Sequence, residues 1–307
     1  MIRWAPSIAV SLGMACLSLT SGCVPTLPEL EDPCIGWEDP GPYRFDVETK
    51  DGKTRHATVY MPTSPGPRVM AVGLHGAHTS DRYFADVSNL AELGIDKGFV
   101  SVFPDGLGTF GGYWNAGACC GGSMESERDI DDVTFLEELT ASLMPRVCAH
   151  SVVGLGHSNG SMMVQRWACE GQMLDAVVSA AGPLMSKPNR CKRDGIPLLQ
   201  VHGVDDPVVP LRGGVGAGRG GVDYPSVDET VSFWRDKNRC TSAPFSRPQS
   251  ASEDCREWTC DYPTQACLIE DWKHAWPGGT YSPESGFDLT QYAWKWWSPF
   301  LSAPDAS

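Results

Sequence analysis

The segment Gly156-His157-Ser158-Asn159-Gly160 places one serine between two glycines, a spacing suited to nucleophilic acyl chemistry. A serine hydroxyl is a weak nucleophile until a base takes its proton, and that base needs an acid to orient it. A bare G-x-S-x-G would occur by chance in roughly one chain in five of this length, so its surroundings must decide. Here the apolar run Ser151 to Gly156 leads into it and a helical pattern, Gly160 to Glu170, follows. A strand ending in a serine turn that opens a helix is the context of a nucleophile elbow, where the glycines let the turn close and the serine is held exposed.

On such a scaffold the chain order is serine, then acid, then histidine. Of the seven histidines only His274 lies beyond the acids near residue 206, in Trp272-Lys273-His274-Ala275-Trp276. His202 precedes the acid and ends an apolar run, which suits a packed structural histidine. The acid falls in Asp205-Asp206-Pro207, where both aspartates compete on position alone. Acyl transfer also needs donors for the developing oxyanion. The N–H of Asn159, next after the nucleophile, is one candidate. Ala77, in the loop after Leu74-His75-Gly76, is the other.

The elements that must position these residues are legible from the periodicity. An alternating pattern from Tyr43 to Thr63 around Asp51-Gly52 predicts a β-hairpin. Short apolar runs at Arg68 to His75, Phe99 to Phe103, Ser151 to Gly156, Leu174 to Ala180, Ile196 to Val201 and Gln265 to Glu270 read as buried parallel strands. Helical patterns separate them at Ala85 to Lys97, Asp129 to Leu143, Gly160 to Glu170, Ser226 to Asn238 and Leu289 to Trp297. The alternation predicts a single-domain α/β fold with a mostly parallel, doubly wound sheet, its site at the carboxyl ends of the strands.

Composition narrows the partners. The 307-residue chain carries a net charge of −14, which argues against nucleic acid or an anionic bilayer as main partner. Arg3, the apolar stretch Trp4 to Leu19 and Thr20-Ser21-Gly22-Cys23 have the layout of an export signal, and the small residues before Cys23 resemble a bacterial lipobox. The expected division is a signal over 1–22, a lipid-attached tether over 23–40 with Cys23 as the lipidation site, and a catalytic domain over 41–303. Membrane association would be through that lipid alone, at the outer membrane or cell surface; the alternative is an ordinary cleaved signal with Cys23 incidental and a secreted or periplasmic protein. Of 12 cysteines, Cys16 leaves with the signal and Cys23 carries the lipid, and the remaining ten predict several disulfides. Adjacent Cys119 and Cys120 are each expected to reach a different partner.

No metal or organic cofactor is expected. The cysteines lack metal spacing, and His75 and His78 have no third ligand. Asp129, Asp131 and Asp132 sit at a helix start, where capping and the dipole favour acids. The glycine run Gly213 to Gly221 matches G-x-G-x-x-G but lacks the Lys-Ser/Thr of a phosphate cradle, so it reads as a loop.

Taken in order, Leu74-His75-Gly76, Phe103-Pro104-Asp105-Gly106, Trp114-Asn115-Ala116-Gly117 with Cys119-Cys120, Asp131-Asp132-Val133, Ser158-Asn159-Gly160, Asp206-Pro207-Val208-Val209-Pro210 and His274 with Trp276-Pro277-Gly278-Gly279 resemble the polyhydroxybutyrate depolymerase and feruloyl esterase group of α/β-hydrolases. The resemblance spans Tyr43 to Phe300. It implies a secreted serine carboxylesterase, and its acid directly before proline selects Asp206, giving the triad Ser158, Asp206 and His274. Ser161 and Asp271-Trp272-Lys273 stand where that group usually has glycines.

Trp114-Asn115-Ala116-Gly117 is closer to the feruloyl esterase branch, with esters of plant polysaccharide as expected substrates and a polyester as the alternative. Trp114, Asn115 and Trp276 are the candidates for the substrate pocket. The reading from another class, a non-catalytic surface lipoprotein that binds carbohydrate or a partner, gives no reason for serine, acid and histidine to occur in that order.

Overall fold

The computed structural model describes residues 24–108, 111–120, 130–218, 221–241, 243–246, 253–282 and 286–301. The expected signal and Cys23 lie outside them, as does Asp129. Among the described residues twelve strands are present: β1 (Tyr43–Glu48), β2 (Thr54–Tyr60), β3 (Arg68–Leu74), β4 (Val100–Pro104), β5 (Ala149–His157), β6 (Ala176–Ala180), β7 (Leu198–Gly203), β8 (Gly214–Val215), β9 (Asp223–Tyr224), β10 (Phe245–Ser246), β11 (Glu253–Trp258) and β12 (Thr264–Ile269). Six described α-helices accompany them: α1 (Asp81–Ser88), α2 (Leu90–Lys97), α3 (Asp132–Leu143), α4 (Asn159–Glu170), α5 (Val227–Lys237) and α6 (Leu289–Leu301). No described helix is long and apolar enough to cross a membrane.

Ten strands form one sheet in the order β1-β2-β4-β3-β5-β6-β7-β12-β11-β10, and β8 pairs with β9 apart from it. The six strands from β4 to β12 in that order run parallel, with antiparallel pairs added at each edge. Side chains alternate across the parallel strands, so each strand feeds two cores. In β3, Met70, Val72 and Leu74 join the core containing Leu136, Met162, Trp167 and Trp234, while Ala71 joins the core of Phe84, Phe103, Trp276 and Trp297 on the other face. The edge strand β1 is buried only at every second residue, which is the alternation that marked it.

Two expectations need correction. The helical pattern Ala85 to Lys97 is two helices: α1, capped by Ser80, starts at Asp81, four residues earlier than expected, and Asn89 takes a left-handed φ of 55° between α1 and α2. Asparagine tolerates that conformation better than most residues, and here its side chain is held by the loop after His274, donating to Gly278 O at 3.4 Å and accepting from the Thr280 hydroxyl at 2.7 Å. The cysteines pair as Cys34–Cys148, Cys169–Cys191, Cys240–Cys260, Cys255–Cys267 and Cys119–Cys120. Cys119 and Cys120 therefore bond to each other rather than to separate partners. The expectation rested on the strain of closing a disulfide between adjacent residues.

Candidate active site

β5 ends at His157 and α4 begins at Asn159, so Ser158 is the single residue of the turn, with φ 56° and ψ −121°. A non-glycine residue held there stores strain, which the surrounding packing must over-determine. It does so through the flanking glycines. A Cβ on Gly156 would lie 2.2 Å from the Gly160 carbonyl oxygen, and one on Gly160 would lie 2.1 Å from that of Leu74. The Ser158 N–H donates to Ala180 O at 2.9 Å, tying the turn to β6.

From this turn the Ser158 hydroxyl reaches His274 Nε2 at 2.7 Å, and His274 Nδ1 reaches Asp206 Oδ2 at 2.7 Å. A carboxylate only accepts, so Nδ1 carries the proton and Nε2 is left to accept from the serine. Asp206 is buried after β7, and its other oxygen accepts from the N–H groups of Val208 at 2.9 Å and Val209 at 3.0 Å. Burial works against its charge, but the hydrogen bond and charge of His274 and the Val209 amide outweigh it and hold the carboxyl below its usual range. Asp205, the competitor, is exposed, and its N–H donates to Trp272 O at 3.0 Å.

His202 does not join the relay. It is buried, its Nε2–H donates to Val209 O at 2.8 Å, and burial pushes its imidazole toward the neutral form. It braces the loop that carries Asp206. The glycine run serves the same loop, since the Ala217 N–H donates to Pro207 O at 2.7 Å.

The loop after β3 is fixed by His75. His75 Nε2 accepts from the Gly106 N–H at 2.9 Å, which leaves Nδ1–H to donate to Gly76 O at 2.8 Å. Thr79 Oγ1 donates to the same carbonyl at 2.6 Å. Ala77 in this loop lines one cleft with Ser158 and His274. Neither the Ala77 N–H nor that of Asn159, in the first turn of α4, donates to an acceptor among the described residues.

The cleft holds about 220 Å³ and is walled by Phe84, Val87, Ala275 and Trp276, with Tyr83 and Tyr281 at its border. Of the three pocket candidates only Trp276 lines it. Trp114 is fully buried and its indole N–H donates to His75 O at 3.0 Å, while its backbone is clamped by the Asn159 side chain at 2.8 and 3.0 Å. Asn115 is likewise structural: its N–H donates to Asp132 Oδ2 at 2.7 Å and its amide to Ile130 O at 3.0 Å. Through these bonds Trp114 holds the loop after β3, and Asn115 the start of α3.

Two of the three acids at the start of α3 are described, Asp129 lying outside the described residues. Asp131 caps the helix by accepting from the Thr134 N–H, and buried Asp132 pairs with Arg55 at 2.6 Å.

Sequence reasoning passed over His157. It lines the cleft, its ring centroid lies 5.1 Å from that of His274, and its Nε2 is buried without a partner. Burial, then the neighbouring His274, push its imidazole down to about 3, so it stands neutral beside the relay. The signal was available: it is the variable residue before the elbow serine, where β5 reaches the site.

No family model matches the chain, and no curated protein matches it. Solved structures do. The chain is similar to an acetyl xylan esterase from Aspergillus awamori at 12% identity and a TM-score of 0.59, over 83% of this chain and 98% of that one. It is similar to an acylaminoacyl peptidase in complex with Z-Gly-Gly-Phe-chloromethyl ketone at 13% identity and a TM-score of 0.56, over 87% and 43%. Esterase PE8 follows at 16% identity and a TM-score of 0.50, over 77% and 96%. The fold is that of the α/β-hydrolases. At these identities the likeness speaks for the fold alone, and the site must speak for the chemistry.

Proposed function

We propose that the protein is a serine carboxylic-ester hydrolase with Ser158 as nucleophile, His274 as general base and acid, and Asp206 as the residue that orients and charge-stabilises His274. The observation that carries this is the continuous relay from Ser158 Oγ through His274 to Asp206, with both links at 2.7 Å, at the wall of a cleft. His274 Nε2 takes the serine proton as Oγ bonds to the ester carbonyl carbon. The tetrahedral oxyanion is received by the N–H groups of Ala77 and Asn159. His274 returns the proton to the departing alkoxide, and the acyl-enzyme is opened by water with His274 again as base.

The substrate class we infer is the feruloyl esterase one, esters on plant polysaccharide, as the motif resemblance implies. An apolar and aromatic wall supports it, together with a cleft below the roughly 300–1,000 Å³ of sites that swallow a whole ligand. Such a cleft suits an acyl group whose alcohol stays outside. We further infer an exported protein anchored through Cys23, and five disulfides support an oxidising compartment. The test is a parallel assay on methyl ferulate, acetylated xylan, short p-nitrophenyl esters and polyhydroxybutyrate. Turnover of the first two above the last is the expected result; preference for polyhydroxybutyrate would overturn the substrate class.

A further inference from the structure

Outside the cleft, three side chains with metal-ligand chemistry converge. His56 on β2, Asp81 at the start of α1 and Asp105 directly after β4 bring His56 Nε2 and one carboxylate oxygen of each aspartate within 4.8 Å of one another. None of the three lines the cleft of Ser158. They stand 25 and 24 residues apart along the chain, a spacing that no metal motif has, which is why the sequence predicts no such site.

The fold holds them together. The Asp105 N–H donates to His56 O at 3.0 Å where β4 meets β2, and the Asp81 N–H donates to Asp105 Oδ1 at 3.2 Å. Thr58, on the same face of β2 as His56, donates its hydroxyl to Asp81 Oδ2 at 2.6 Å. Each carboxylate oxygen has two lone-pair directions, so these bonds leave room for a further partner.

Positive charge is what the cluster lacks. Among the described residues the basic groups within ion-pair distance of the two carboxylates are imidazoles. His56 Nε2 lies 3.7 Å from Asp81 Oδ2 and 4.0 Å from Asp105 Oδ2, and His75 Nε2 lies 3.3 Å from Asp105 Oδ1. His75 Nε2 already accepts from the Gly106 N–H, so it brings Asp105 no proton. The contacts of His56 are too long for hydrogen bonds. Asp81 is only 6% exposed, and charges so placed are ordinarily paired or bound to a metal.

We propose that His56 Nε2, Asp81 Oδ2 and Asp105 Oδ2 bind a zinc ion. Zinc holds such atoms at about 2.0–2.2 Å, which sets neighbouring ligand atoms of a tetrahedron about 3.4 Å apart. The contacts of 3.7 and 4.0 Å must close by a few tenths of an ångström, and a part-exposed imidazole without a hydrogen bond can turn that far. An imidazole ligand disfavours calcium and magnesium, which take oxygen donors. Water completes the coordination. The position makes the ion structural: Asp81 ends the loop that presents Ala77, and Asp105 precedes the Gly106 N–H that holds His75 near the start of that loop.

The site goes beyond the proposed ester hydrolysis and is tested without it. The probe is ZnCl2 alone, titrated calorimetrically into the full chain after chelator treatment, with no histidine tag. The wild type should bind one equivalent and show a raised thermal midpoint. His56→Gln, which removes a ligand but no side-chain hydrogen bond, should fold and bind at least about tenfold more weakly, with its midpoint unmoved by zinc. His150→Gln, which alters a histidine away from the cluster, should bind like the wild type. In a crystal soaked with ZnCl2 the anomalous peak should lie between His56, Asp81 and Asp105. No binding by the wild type, undiminished binding by His56→Gln, or a peak elsewhere would overturn the site. Displacement of the zinc by an equal concentration of calcium would overturn the choice of metal.

Discussion

At the scale of single residues, the site sets two histidines beside each other with opposite duties. In the proposed mechanism His274 exchanges a proton with Ser158, while His157, its ring centroid 5.1 Å from that of His274, stays neutral, so that no second positive charge opposes the imidazolium that would form. Its imidazole is pushed down to about 3 from an ordinary value of 6.5, so between those pH values the unfolded chain binds a proton that the folded chain refuses. The stability tied to His157 is therefore complete above pH 6.5 and is lost as pH falls toward 3. His157→Gln, which cannot titrate, should flatten the decline of the urea midpoint across that window. His202, shifted in the same direction, will keep part of the slope. Identical slopes for wild type and variant would contradict the account.

At the scale of elements, the elbow is a packing device before it is a catalytic one. The turn between β5 and α4 closes only because Gly156 and Gly160 lack Cβ atoms, which would meet backbone carbonyls at 2.2 and 2.1 Å. Gly160→Ala must therefore displace β3 or the helix start. It should cost about 1–3 kcal/mol or more in stability, measured by chemical denaturation, and lower turnover at least as sharply. A variant as stable and active as the wild type would show that the turn is looser than described here.

The same elements mark how far the chain could be read in advance. The parallel strands were legible because each is a short apolar run buried on both faces, and the hairpin because its burial alternates. β11 was not, since Asp254, Arg256 and Glu257 break any apolar pattern, and it is placed by pairing with β12, where Cys255 faces Cys267. Ser158 and His274 were legible because chain order filters candidates, whereas chain order left Asp205 and Asp206 open and only the family resemblance chose between them. The cleft wall was not: Tyr83, Phe84 and Tyr281 meet only when the loop after His274 docks on α1, and Trp114, an inviting aromatic in sequence, is consumed by the core.

At the scale of the whole molecule, the disulfides act on different distances. Cys34–Cys148 spans 114 residues and ties the segment before the sheet to the start of β5, whereas Cys255–Cys267 spans 12 within one antiparallel pair. Long closures remove more freedom from the unfolded chain. Replacing Cys34 and Cys148 together with alanine should lower stability by about 2–5 kcal/mol, more than the Cys255/Cys267 double replacement on the entropic account. Denaturation midpoints of the two double variants measure the order directly, and a reversed order would mean that local strain or residual structure governs instead.

All three scales converge on one hydroxyl. The strain at Ser158, the relay behind it and the sheet that holds both have a common chemical consequence: Ser158 should be the one serine that reacts with a fluorophosphonate. Labelling of the folded protein followed by peptide mass spectrometry is the most direct measurement. A single adduct on Ser158, absent from Ser158→Ala and strongly slowed in His274→Ala, is the expected result. Folded protein that takes no label, or takes it on another serine, would contradict the account.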